Sequence, residues 1–136
     1  MTSQKRIVAT LAGGVTAFLM GWILYGMAFV GFFSQHYLQQ VERPDDQMVW
    51  WALFAGNVMY AYLLAYLFPK WEGNNSFVGG FKSGAMIALI LGYAVNLTMY
   101  GTSGIMDLTA TLVDPLVFGL MMGVSGGVIG WIYGRG

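Results

Sequence analysis

Long apolar runs alternate with short polar stretches along the whole chain. The runs cover Ile7 to Phe33, Val49 to Phe68 and Phe77 to Tyr100, with a fourth ending at Tyr133. Each is close to or longer than the ~20 residues that carry an α-helix across a bilayer. The polar stretches are Ser34 to Met48, Lys70 to Ser76 and Gly101 to Met106. Pro44 breaks the first of these, and Pro69 ends the second run. The pattern predicts an all-α fold, a transmembrane bundle of four helices forming a single membrane domain over 1–136. The first run follows Lys5 and Arg6 as a signal peptide would, but it is about twice the length of a signal h-region, so it is read as a retained span.

Small residues recur every fourth position on three spans. The rows are Gly13, Ala17 and Gly21; then Gly80, Gly84, Ala88 and Gly92; then Gly119, Gly123 and Gly127. Fourth-residue spacing places each row on one helix face, where it lets another backbone come close. Four helices have too little interior to cover every row. The expectation is that Gly119-Gly123-Gly127 faces another subunit, in a homo-oligomer or a larger membrane complex. Sliding the chain so that Gly13 meets Gly84 also aligns Ala17 with Ala88, Gly21 with Gly92, Pro44 with Pro115 and Gly56 with Gly127. So few identities do not exceed what this composition gives by chance, and a 2+2 internal pseudo-repeat stays open.

The fourth span has two starts available. With Asp107 as N-cap it runs over 108–133 and kinks at Pro115. With Asp114 as N-cap and Pro115 at the first helical position it runs over 115–133. The choice decides what Asp114 does. As a cap it meets free helix N–H groups and water at the membrane surface. Inside the span it is a candidate proton or solute site, because a carboxylate in hydrocarbon is costly. The Asp-Pro order favours the cap. Asn96 and Asn57 are the candidate partners of Asp114 along a solute path, and interhelical hydrogen bonding is the plainer reading of both. Tyr25, Tyr60, Tyr62, Tyr93 and Tyr100 can offer hydroxyls to a cavity or serve as packing and belt residues.

Composition narrows the function classes. The chain is 57% hydrophobic and 9% charged, against about 25% charged in an ordinary soluble domain, so its expected surroundings are the lipid bilayer. A net charge of zero gives no basic face for nucleic acid, and the absence of cysteine removes thiol chemistry. No nucleophile stands with a histidine base, and there is no phosphate-binding loop, so no enzyme activity, no cofactor and no catalytic residue is expected. His36 with Glu42, Asp45 and Asp46 lacks metal-ligand spacing, and the 10 methionines are scattered, so no metal site is expected. Lys5, Arg6, Lys70, Lys82 and Arg135 fall at the end of the bundle that holds both termini, with Arg43 alone at the other. The positive-inside rule then predicts cytoplasmic termini.

Three segments resemble a group of uncharacterised bacterial four-span proteins classed as a domain of unknown function. They are Gly21-Trp22-Ile23-Leu24-Tyr25-Gly26, Gly80-Phe81-Lys82-Ser83-Gly84-Ala85, and the Met-Gly-rich stretch Leu120 to Gly130. The resemblance implies a topology and a bacterial inner-membrane location, and no activity. The first span lacks the glutamate of small multidrug exporters, and the chain lacks the Gly-Arg pattern of small fluoride channels. The reading expected is a structural or accessory subunit, or a self-associating scaffold. The alternative is a small oligomeric transporter or channel using Asp114 and the membrane-depth asparagines.

Overall fold

Helices occupy the apolar runs, and polar side chains set several of their ends. The computed structural model describes residues 3–28, 30–36, 49–70, 72–104 and 107–135. The first run is wound in two ways: α1 (Ser3–Ile23) passes into a π-helical turn (Leu24–Ala28), and α2 (Val30–His36) follows. Next come α3 (Trp50–Leu67), a 3-10 turn (Phe68–Lys70), α4 (Phe77–Thr102) and α5 (Leu108–Tyr133). The described residues contain no strand, and four helices are long and apolar enough to cross a membrane. Apart from the His36 backbone, the His36–Asp46 grouping lies outside the described residues, as does Pro44.

Pro69 supplies no N–H and stops α3 in the 3-10 turn. Gly73 then takes a left-handed φ of 96°, which suits glycine because it has no Cβ to clash. The Ser76 hydroxyl accepts from the Gly79 N–H at 3.0 Å and caps α4. Asp107 caps α5 in the same way, its carboxylate accepting from the Ala110 N–H at 2.9 Å. Asn74 ties the connecting turn down, donating to the Phe68 carbonyl at 3.3 Å and accepting from the Ser83 hydroxyl.

The fifth helix is the centre of the bundle. Over its most apolar window it is 56% buried, against 22% for α3 and for α4. Toward α4 it presents Gly126 and Gly130, which meet Gly80 and Gly84 backbone to backbone. A Cβ at Gly80 would overlap the Gly126 carbonyl oxygen, and one at Gly84 would lie 2.6 Å from the Met122 carbonyl oxygen. Higher on the same ladder, Ala88 is buried and Gly92 lies against Pro115. The Gly119-Gly123-Gly127 row does not face another subunit. Leu89, Phe81 and Phe77 of α4 lie over it, each within 3.2 Å of where a Cβ would stand. Two sets of glycines on α5 thus receive one helix, its backbone in one groove and its large side chains in the next.

Toward α1 the contacts are also close. Gly13 accommodates Ile129 and Ala61, Gly21 lies near the Met121 sulfur, and Ala17 is fully buried. The Ser125 hydroxyl donates to the Gly13 carbonyl at 2.8 Å. At the end holding the termini, the Tyr133 hydroxyl donates to the Ala65 carbonyl at 2.6 Å, and the Lys5 ammonium donates to the Arg135 carbonyl. The α3 and α4 helices flank a shallow apolar groove floored by Phe118 and Met122 of α5.

Candidate functional site

Asp114 is inside α5, not at its end. Asp107 caps the helix almost two turns earlier, and both the N–H and the hydroxyl of Thr111 bond to the Asp107 carbonyl, at 3.1 and 2.8 Å. The helix therefore runs through Asp114 and Pro115, and the span is 108–133. This corrects the expectation that Asp114 caps a shorter helix over 115–133. A local Asp-Pro preference gives way to a cap further upstream and to polar partners from two other helices.

Pro115 has no N–H for the Thr111 carbonyl four residues back. On that side α4 brings two donors. The Asn96 amide is 3.5 Å from the Thr111 carbonyl, a long and weak bond, and the Tyr93 hydroxyl donates to the Leu112 carbonyl at 2.9 Å. One turn from Asn96, Gly92 leaves room for the proline ring, 3.0 Å from its Cβ position. The stronger bond of Asn96 goes to the carboxylate, its Nδ2 donating to Asp114 Oδ2 at 2.7 Å. Tyr25 reaches the other oxygen from the π-helical turn after α1, its hydroxyl donating to Asp114 Oδ1 at 2.7 Å. The same hydroxyl is 3.3 Å from the Asp114 carbonyl oxygen.

Tyr25 belongs to the π-helical turn. An extra residue in one turn rotates the side chains that follow, and such turns gather at functional positions. The Tyr25 ring stacks on Phe33 at 5.4 Å between centroids, and Phe33 is buried. Asn96 and Thr111 are buried as well. At ~1.5 Å per residue α5 is about 39 Å long. Centred on ~30 Å of hydrocarbon, it places Asp114 roughly 4–5 Å inside the apolar boundary. Among the described residues, both side-chain donors to Asp114 are neutral, a phenol and an amide.

The two donors have different chemistry. An amide N–H only donates, so Asn96 fixes Oδ2 as an acceptor. A phenol both donates and accepts. When a proton adds to Oδ1, that proton can point to the Tyr25 oxygen, and the Tyr25 hydrogen can turn to the Asp114 carbonyl 3.3 Å away. The site can therefore take up a proton by turning one hydroxyl, with no helix displaced.

Asn57 does not join this group. Its amide donates to the Leu53 carbonyl of its own helix at 2.8 Å, which satisfies it locally on α3. Tyr60 packs edge-on against Phe118, and Tyr62 beside Tyr66. Of the five tyrosines, Tyr25 reaches the acid, and Tyr93 bonds to the α5 backbone two residues before it. The alignment of Gly13 with Gly84 held a signal for this site: it places Tyr25 on Asn96, each four residues after a small residue, Gly21 or Gly92. Thr111, Phe33 and the π-helical turn carry no comparable mark in the sequence.

Comparison with known protein families, with curated proteins and with solved structures found no match for the chain.

Proposed function

We propose that this chain is a small, non-enzymatic membrane protein that carries protons, alone or together with a small solute, and that Asp114 is the group that takes up and releases the proton. The observation behind this is the pair of neutral donors at 2.7 Å on a carboxylate within the bundle. A carboxylate at membrane depth is expensive, and a purely packing residue would avoid the expense. A proline in α5 and the π-helical turn that follows α1 fall at the same place. Such departures from regular winding concentrate where a chain does work. The location proposed is a bacterial inner membrane with cytoplasmic termini, on the strength of the basic residues at that end.

A second reading, an accessory subunit or self-associating scaffold, draws on α3. Gly56 has no atom within 4 Å of its Cβ position, and Leu53 and Met59, three residues before and after it on the same helix face, are exposed. That face would take another helix, from a second copy or a larger complex.

Proton flux separates the two. Liposomes holding the purified protein and a pH-sensitive dye should acidify under an imposed membrane potential. Asp114→Asn should slow the acidification at least about tenfold, in line with the loss of a positioned proton-transfer group. Asp107→Asn, at the helix cap, should leave it near the parent rate. Equal fluxes for Asp114→Asn and the parent would remove the proton-carrying reading and leave the accessory one.

A further inference from the structure

At the end of the bundle away from Asp114, two cations meet one aromatic ring. The Arg6 guanidinium carbon is 5.9 Å from the Tyr66 ring centroid, and the Lys70 Nζ is 4.6 Å from it. The ring attracts each cation, while the cations repel one another. Among the described residues no carboxylate pairs with either, and Glu72, the acid next in sequence, is exposed. The Arg6 charge also acts on the nearby Tyr133 hydroxyl. The Arg6 Nε is buried without a partner, and so is the hydroxyl of Thr10, one turn further along α1 and itself 8% exposed. Positive charge thus collects where α1 begins and α3 ends.

The surroundings say what kind of anion fits. This is a helix end of a membrane bundle, the level at which headgroups lie. Ile7 and Leu11 on α1 and Tyr62 on α3 are exposed, an apolar surface that acyl chains would cover. A zwitterionic headgroup brings its own ammonium, which Arg6 and Lys70 would repel. An anionic one brings only the phosphate charge, and basic side chains near the surface each favour it. Arg also matches phosphate geometry through its planar fork of donors. We infer that Arg6 and Lys70, gathered at the Tyr66 ring, hold the phosphate of an anionic phospholipid.

Native mass spectrometry of the full-length protein tests this, by counting lipid adducts with phosphatidylglycerol and with phosphatidylcholine. The parent should retain phosphatidylglycerol in preference. The Arg6→Gln/Lys70→Gln protein should bind it about 30-fold more weakly, the effect expected for two basic groups near the surface. Lys82→Gln, an exposed cation elsewhere on α4, should bind as the parent does. Lys70→Glu alone, at an exposed position, should also weaken the adduct and covers the case in which the double variant does not fold. An equal loss in Lys82→Gln would mean a diffuse charge effect and overturn the site. Competition by inorganic phosphate at millimolar concentration would overturn the lipid assignment in favour of a free anion.

Discussion

Gly80→Ala is expected to be among the most damaging single-methyl additions this chain can receive. The new Cβ would overlap the Gly126 carbonyl oxygen and come within 3.1 Å of the Gly130 Cα. Both are backbone atoms, so no side-chain rotation makes room, and α4 must move off α5. Overpacking of this kind costs about 1–3 kcal/mol, and the rigid partner puts Gly80 at the upper end. Gly56→Ala adds the same methyl where nothing lies within 4 Å, and should change stability by less than ~0.5 kcal/mol. Gly126→Ala would push on the same crossing from the other side, overlapping the Gly80 carbonyl oxygen. Because one separation of the helices relieves both clashes, the double variant should cost less than the two singles added together. Reversible unfolding of the reconstituted protein measures all four. A Gly80→Ala protein as stable as Gly56→Ala would mean that α4 and α5 do not cross where described.

The second large effect is expected from Asn96→Leu. The buried amide is the donor to Asp114 Oδ2 at 2.7 Å and the side-chain contact of the Thr111 carbonyl, which Pro115 leaves without its usual helix donor. Leucine removes both and leaves the acid facing hydrocarbon on one side. Hydrogen bonds between membrane helices average well below 2 kcal/mol, but leaving a buried polar group without its partner costs about 1–3 kcal/mol, more when it is charged. A loss of roughly 2–3 kcal/mol is expected. Removing the acid as well, in Asn96→Leu/Asp114→Leu, should return at least about 1 kcal/mol relative to simple addition. Strict additivity in the same unfolding assay would show that the two side chains do not share a bond.

The ladder Gly80-Gly84-Ala88-Gly92 is legible in the sequence because fourth-residue spacing fixes a helix face whatever the fold around it. Which helix fills that face is not a local property. The Gly119 row shows the difference: its face can be read from spacing, but Phe77 and Phe81, which cover Gly127 and Gly123, stand on α4, another helix. Asp114 is ambiguous in the sequence for the same reason. Asp followed by Pro is a sound local signal for a helix start, yet Asp107 offers an equally sound one, and what separates them is Tyr25 and Asn96 arriving from other helices. Asn57 and Asn96 look alike at the level of depth in a span. One turns back to its own helix and the other crosses to α5, a choice made by what stands opposite each. The π-helical turn at Leu24–Ala28 has no proline and no polar interruption to announce it.

Infrared difference spectroscopy of the reconstituted protein across a pH titration reads the Asp114 carboxyl group directly. The chain carries 6 acidic residues, and one component of the carboxylic-acid C=O signal that grows as pH falls should be missing from Asp114→Asn. It should shift in frequency in Tyr25→Phe, because the hydroxyl on Oδ1 is gone. A carboxylic-acid signal unchanged in Asp114→Asn, or a lost component that is indifferent to Tyr25→Phe, would contradict the assignment of Asp114 and Tyr25 as the proton-handling pair.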